Sequence, residues 1–304
     1  MHCIVNWLTQ ITNGQGIILR FLRHLLPLLT PSLATTSTGR VISKVQGNHD
    51  FWLPFRQHAP SLANGRCEIY SKVERFASND GVAFFNVLAF RGVFFGSPFA
   101  RSAHYRWFES LNDWTTLRTQ LTAEANEYGA DDEYYVNPGC YGRSQKERKL
   151  KLLDTYWERR LEWNDKINQP IKPSIGDVFN WLKGRTNGVN LFPNIGALSA
   201  MLICGDLVEA GILAMPSVKE WATLIHGLKK GAMAGMEMYG LTQTKCTVAD
   251  FHASFALLDE VLQRELLTDE KEMMGYNIIM LEHTLCKIKR LTLRLSKEVF
   301  LSAI

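Results

Sequence analysis

The stretch SVKEWATLIHGLKKGAMAGMEMY, residues 217–239, decides the fold class. Ser217 stands three residues before Glu220, the spacing at which each side chain satisfies the other's backbone N–H at a helix start. The pattern predicts a helix from Ser217 to about Tyr239. Within it Gly227, Gly231 and Gly235 fall four apart and make a side-chain-free stripe. Each glycine costs a helix about 1 kcal/mol against alanine, so the stripe predicts close packing of another helix. Lys229 and Lys230 exclude a membrane setting for it.

Helical patterns continue on both sides. Downstream, Thr247–Leu267 and Asp269–Leu301 read as helices, the second with Met280, Leu291 and Leu295 on its repeating face. Upstream, Asn194–Ala210 ends at Gly211, a natural residue to follow a helix. Asp177–Leu182 is a short helix. Ser144–Ile167 carries Leu150, Leu153, Trp157 and Leu161 at helical spacing, with Ser144 and Glu147 as a further capping box. His104–Tyr128 repeats Trp107, Leu111, Trp114, Leu117 and Leu121 in the same way.

The texture differs before residue 100. Arg40–Val45, Glu68–Val73 and Val82–Phe95 are rich in β-branched and aromatic residues, the last punctuated by Gly81, Gly92 and Gly96, and they read as β-like patches. The fold class is therefore mainly α: a multi-helix C-terminal bundle with a small, β-containing N-terminal module, α+β overall. The division expected is 1–39 as leader or linker, 40–140 as a mixed α/β module and 141–304 as the helical domain. The turn-forming residues at 136–145 mark the second boundary.

Composition narrows the function classes. The 304 residues are 46% hydrophobic and 21% charged, with a formal net charge of +4, which excludes a disordered, collagenous or bare coiled-coil chain. Six cysteines without a CxxC pair point to free thiols in a reducing, intracellular compartment, cytoplasmic or nuclear. Asp50 is the first acidic residue, whereas Arg20, Arg23, Arg40 and Lys44 precede it. An acid-free, Arg-containing and Ser/Thr-rich start has the composition of a transit peptide, so a mitochondrial location is the alternative if 1–39 is one; a partly buried helix with a flexible linker is the other reading. The apolar run Ile17–Leu29 is interrupted by Arg20, Arg23 and His24 and does not read as a membrane span.

Charge is uneven along the chain. Arg143–Arg160 holds seven bases against three acids, and Lys287–Lys297 holds five bases and no acid. Arg143, Lys146, Arg148, Lys149 and Lys151, together with Lys287, Lys289, Arg290 and Arg294, are the residues expected to meet a protein or nucleic-acid partner. Neither a GxxxxGK[ST] loop nor a GxGxxG turn is present, no nucleophile motif stands out, and no cofactor is assigned. The leading expectation is a non-catalytic, helix-rich binding protein.

Gly47-Asn48-His49-Asp50 carries a second expectation. It resembles the GNHD loop of calcineurin-like metallophosphoesterases, whose Asn and His help hold a two-metal centre. Gly205–Glu209 is similar to that family's GDxxD and Asp250-Phe251-His252 to its DxH. The resemblance implies a metal-dependent phosphoesterase with His49, Asp50, Asp206 and His252 converging on the metals. The three pieces stand in the reverse of the family's order, Glu209 replaces the second aspartate, and no GHxH is present. A helical enzyme with a site assembled from distant positions is the remaining alternative.

Overall fold

Every residue from Gly81 to Ser97 is buried. A segment that is apolar on all sides has to run through the middle of a core, and a run this long fits a helix better than a strand. In the computed structural model, which describes residues 2–129, 131–141, 145–168 and 172–304, it is the α-helix Val82–Ala89 passing directly into a π-helical turn, Phe90–Phe94. The expected β patch is corrected here: burial on every side, not a strand's alternation, explains the density of Val and Phe. The other two patches are corrected likewise. Arg40–Gln46 is a helix whose Val41, Ile42 and Val45 share one buried face, and Glu68–Tyr70 lies in a second π-helical segment, Arg66–Tyr70. Among the described residues the single sheet is a hairpin, Arg185–Thr186 antiparallel to Val189–Asn190. Asn187 and Gly188 both have positive φ at its turn, as a two-residue hairpin requires.

The fold is mainly α, and the chain divides into two compact units. One comprises Pro60–Pro216; the other joins the chain up to Ala59 with Ser217–Ile304. In the Pro60–Pro216 unit the central helix packs against Leu152–Glu158, and the π-helical turn packs against Ala197–Glu209. The aromatic side chains Phe84, Phe94, Phe99, Phe108, Trp114 and Trp163 fill the space around them, with ring centroids commonly 5–6 Å apart. The helix expected over His104–Tyr128 starts only at Leu111, because Ser110 caps it by accepting from the Asp113 N–H at 3.0 Å. The one expected over Ser144–Ile167 is shorter too: Leu152–Glu158 and Glu162–Lys166 are helical, and Ser144 lies outside the described residues.

In the other unit the Ile278–Leu295 helix is the central element. Ile279, Leu281, Leu285, Ile288 and Leu291 are fully buried, and Asn277 caps its start by accepting from the Met280 N–H at 2.9 Å. Against it pack Ala232–Met238, Val218–Leu228, His49–Trp52 and Lys297–Ala303. The capping box at Ser217 is present: Glu220 N–H reaches Ser217 Oγ at 3.2 Å, and Ser217 N–H reaches Glu220 Oε2 at 2.8 Å. Thr247 and Asp250 form another at the head of Val248–Glu265. The single helix expected over Ser217–Tyr239 breaks instead at Lys229 and Gly231, both at positive φ, into Val218–Leu228 and Ala232–Met238. The glycine stripe is therefore interrupted, yet Gly235 does meet another helix, since a Cβ at this position would run into the Leu285 carbonyl.

The acid-free start contributes to this unit. His2–Leu25 is a helix, and Ile18, Phe21, Leu22 and Leu25 are fully buried. Arg23 is held by Glu270, Nε to Oε1 at 2.8 Å, and by the Glu265 carbonyl at 2.7 Å. Within the described part of residues 1–39, the buried apolar side chains are Ile18, Phe21, Leu22, Leu25 and Leu28, whereas 29–39 are exposed or half-buried.

Candidate functional site

The Arg40–Gln46 helix buries its apolar face and turns Arg40 and Ser43 to solvent, with Lys44 half-buried between them. Next along the chain is one helical turn, His49–Trp52, whose start is capped by Asn48 Oδ1 accepting from Phe51 N–H at 3.1 Å. Its carbonyl end is held by Lys287, whose Nζ donates to the carbonyls of Phe51 at 2.6 Å and Asp50 at 3.1 Å. A cation is the natural partner there, since carbonyls at a helix end lack partners within the helix. The held turn presents Phe51 and Trp52 edge to face, centroids 4.5 Å apart. Lys44 Nζ lies 5.2 Å from the Trp52 ring centroid, and the Arg290 guanidinium 5.0 Å from that of Phe51.

Gly39, Arg40, Ser43, Lys44 and Leu295 line an open depression of about 610 Å³, and Lys44 is the residue that connects it to the Trp52 ring. Among the described residues Arg40, Lys44, Lys289 and Arg294 take part in no ion pair, so their charge is not neutralised within the protein. Of the acids on the elements around this surface, Asp50 and Glu282 are buried, whereas Glu298, at the start of the Lys297–Ala303 helix that packs against Arg40–Gln46, is exposed. Burial raises the Glu282 carboxyl to about 7, with Arg56, Arg290 and Lys287 opposing the rise. Burial, then the neighbouring Arg290, lowers Lys287 to about 7.

The nine basic residues expected to meet a partner fall into three groups. Lys146, Lys149, Lys151 and Arg294 are exposed, and Lys289 and Arg290 are half-buried. Arg148 and Lys287 are buried, which corrects their reading as surface cations. Arg143 lies outside the described residues. Arg148 is committed to the end of the π-helical turn: Nη2 donates to the Arg91 carbonyl at 2.7 Å and Nη1 to that of Val93 at 2.8 Å. It pins the segment 145–151 so that Lys146, Lys149 and Lys151 face solvent, again without an ion pair among the described residues.

The residues tied to the phosphoesterase resemblance belong to three different helices. His49 and Asp50 belong to the short helix just described, and His252 to Val248–Glu265. Asp206 belongs to the Pro60–Pro216 unit, where its Oδ1 accepts from Arg91 Nη2 at 2.6 Å and its Oδ2 from Tyr70 Oη at 3.0 Å. Both partners come from π-helical segments, a form that clusters at functional sites but is here directed at one buried carboxylate. Burial opposes the charge on Arg91, yet Asp206, Tyr141 and Tyr70 together hold its pKa well above the ordinary value. No group of three or more His, Cys, Asp or Glu among the described residues is arranged to hold a metal ion.

The Arg91–Asp206–Tyr70 cluster was not anticipated. Its signal was available: Arg91 is the one charge in a buried apolar run, and Asp206 is embedded in the equally apolar Ala197–Val208. Two lone opposite charges in apolar surroundings have to find each other. The Phe51–Trp52 pair is not legible in the sequence either, because the cations at its rings come from residues 44 and 290, far apart in the chain.

No helix among the described residues is long and apolar enough to cross a membrane. Comparison with protein families, with curated proteins and with solved structures gives no match.

Proposed function

We propose that the protein is a non-catalytic, helix-rich binding protein whose partner is a nucleic acid. The observation that carries this reading is the surface around Phe51 and Trp52, where Lys44 faces the Trp52 ring and where Arg40 and Lys44, without an ion pair among the described residues, line an open depression. Unneutralised cations gain by displacing the counterions of a polyphosphate, and aromatic rings between them add contact with bases. The exposed Lys146, Lys149 and Lys151 offer a second basic stretch of the same kind. An intracellular location belongs to this proposal, supported by the free state of Cys67, Cys140, Cys204, Cys246 and Cys286.

The test is a titration of the full chain against labelled single-stranded and duplex oligonucleotides, followed by fluorescence anisotropy over a salt series. Binding of either, with log K falling linearly against log salt, is expected. Absence of binding to both at roughly 50 mM salt overturns the nucleic-acid reading, and an acidic protein partner is then the occupant to seek.

A further inference from the structure

We infer that the Phe51–Trp52 surface takes single-stranded nucleic acid, with an unpaired base against the aromatic pair and its phosphates on Arg40 and Lys44. The inference rests on the nucleic-acid reading above and narrows it to one strand form.

A duplex is read by an element that enters a groove, and Ile278–Leu295 is the long helix of this unit that carries the basic run. It is not free. Ile279, Leu281, Leu285, Ile288 and Leu291 are fully buried, Lys287 with them, and the exposed residues gather at its last turn, Leu293 and Arg294. What this unit offers instead is compact. Arg40–Gln46 and His49–Trp52 are one to two turns long; Gly39, Arg40, Ser43 and Lys44 with Leu295 line an open depression, and Lys44, one of its lining residues, also faces the Trp52 ring.

The chemistry around it fits a base turned out of a stack. Phe51 and Trp52 are half-buried, held edge to face at 4.5 Å, and flanked by Lys44 on one ring and Arg290 on the other. Bases inside a duplex have their faces covered, whereas a single strand exposes them to aromatic rings and keeps its phosphates within reach of cations. Lys287 makes the arrangement stiff in advance, because it ties the carbonyls of both Asp50 and Phe51 to the central helix. A surface ordered before the strand arrives loses less freedom on binding.

The experiment compares the full chain on a labelled oligothymidylate of roughly 20 nucleotides and on a duplex of equal length, in low salt. Single-strand binding at least about tenfold tighter is expected, with Trp52→Leu reducing it by about tenfold and Trp52→Phe by much less. Arg40 and Lys44 carry the check that does not depend on a half-buried ring: Arg40→Ala with Lys44→Ala should lower the single-strand salt slope by about 1.4. Equal affinity for the two forms, or preference for the duplex, overturns the inference. So does a salt slope unchanged in the double variant. Duplex binding that ignores these residues defeats this inference alone, while failure to bind either nucleic acid defeats the functional reading with it.

Discussion

Lys287 Nζ lies 2.6 Å from the carbonyl oxygen of Phe51. One amine on the central helix thereby secures a helical turn more than two hundred positions away in the sequence. The same amine is held near 7 by burial and by Arg290, and on that helix Glu282 is raised to about 7 by burial.

These two groups give stability opposite slopes against pH. Between about 4.5 and 7 the folded chain holds the Glu282 proton more tightly than the unfolded chain, so stability falls as pH rises. Between about 7 and 10.5 the unfolded chain holds the Lys287 proton more tightly, so stability rises with pH. Asp50, Arg56 and Arg290 are the charged groups around them and set the background. Urea unfolding across this range should find that Glu282→Gln flattens the acid limb and Lys287→Met the alkaline one.

Asp206 and Arg91 make a buried pair whose members cannot be separated cheaply. Asp206→Ala leaves a buried guanidinium without its carboxylate and should cost about 3–5 kcal/mol. Replacing both, with Arg91→Met and Asp206→Leu, should cost far less than Asp206→Ala alone, because no charge is then left stranded. A double-mutant cycle by urea denaturation measures the difference.

Gly235 and Gly227 look alike in the sequence and should behave in opposite ways. A methyl group at Gly235 meets the Leu285 carbonyl, and Gly235→Ala should destabilise by about 1–3 kcal/mol. At Gly227 nothing lies within 4 Å, and Gly227→Ala should stabilise by about 0.4–1 kcal/mol. Paired thermal melts decide it.

The start of the chain is expected to be needed for stability. Leu22→Ala should cost about 2–5 kcal/mol, the range for a fully buried leucine. A variant beginning at Arg40 lacks Ile18, Phe21, Leu22 and Leu25 and should lose cooperative unfolding of the unit they help fill, as read by near-ultraviolet circular dichroism.

Helix type was legible wherever local chemistry spoke clearly. Ser217 with Glu220, Thr247 at the head of its helix and Gly211 after another are all local signals, and all are present as helix ends. What the sequence hid was burial. Val82–Phe95 carries the residues of a strand but the surroundings of a central helix, and only contacts from distant segments distinguish the two. Asn187-Gly188 was a legible hairpin signal that went unused. The candidate site was half legible: the basic composition of Lys287–Lys297 was plain, but Lys287 turns inward and Arg294 outward through packing that no spacing rule reveals.

The order in which the parts are synthesised adds a consequence. One unit is built from the two ends of the chain, with Pro60–Pro216 made in between. Pro60–Pro216 can therefore fold while the rest is still on the ribosome, domains generally folding as units in that order. The apolar helix around Phe21 and Leu22 has to wait, its partner Ile278–Leu295 being translated only after Pro60–Pro216. During that interval its hydrophobic face is bare, and a chaperone that shields it early in translation would be expected to raise the yield of folded protein.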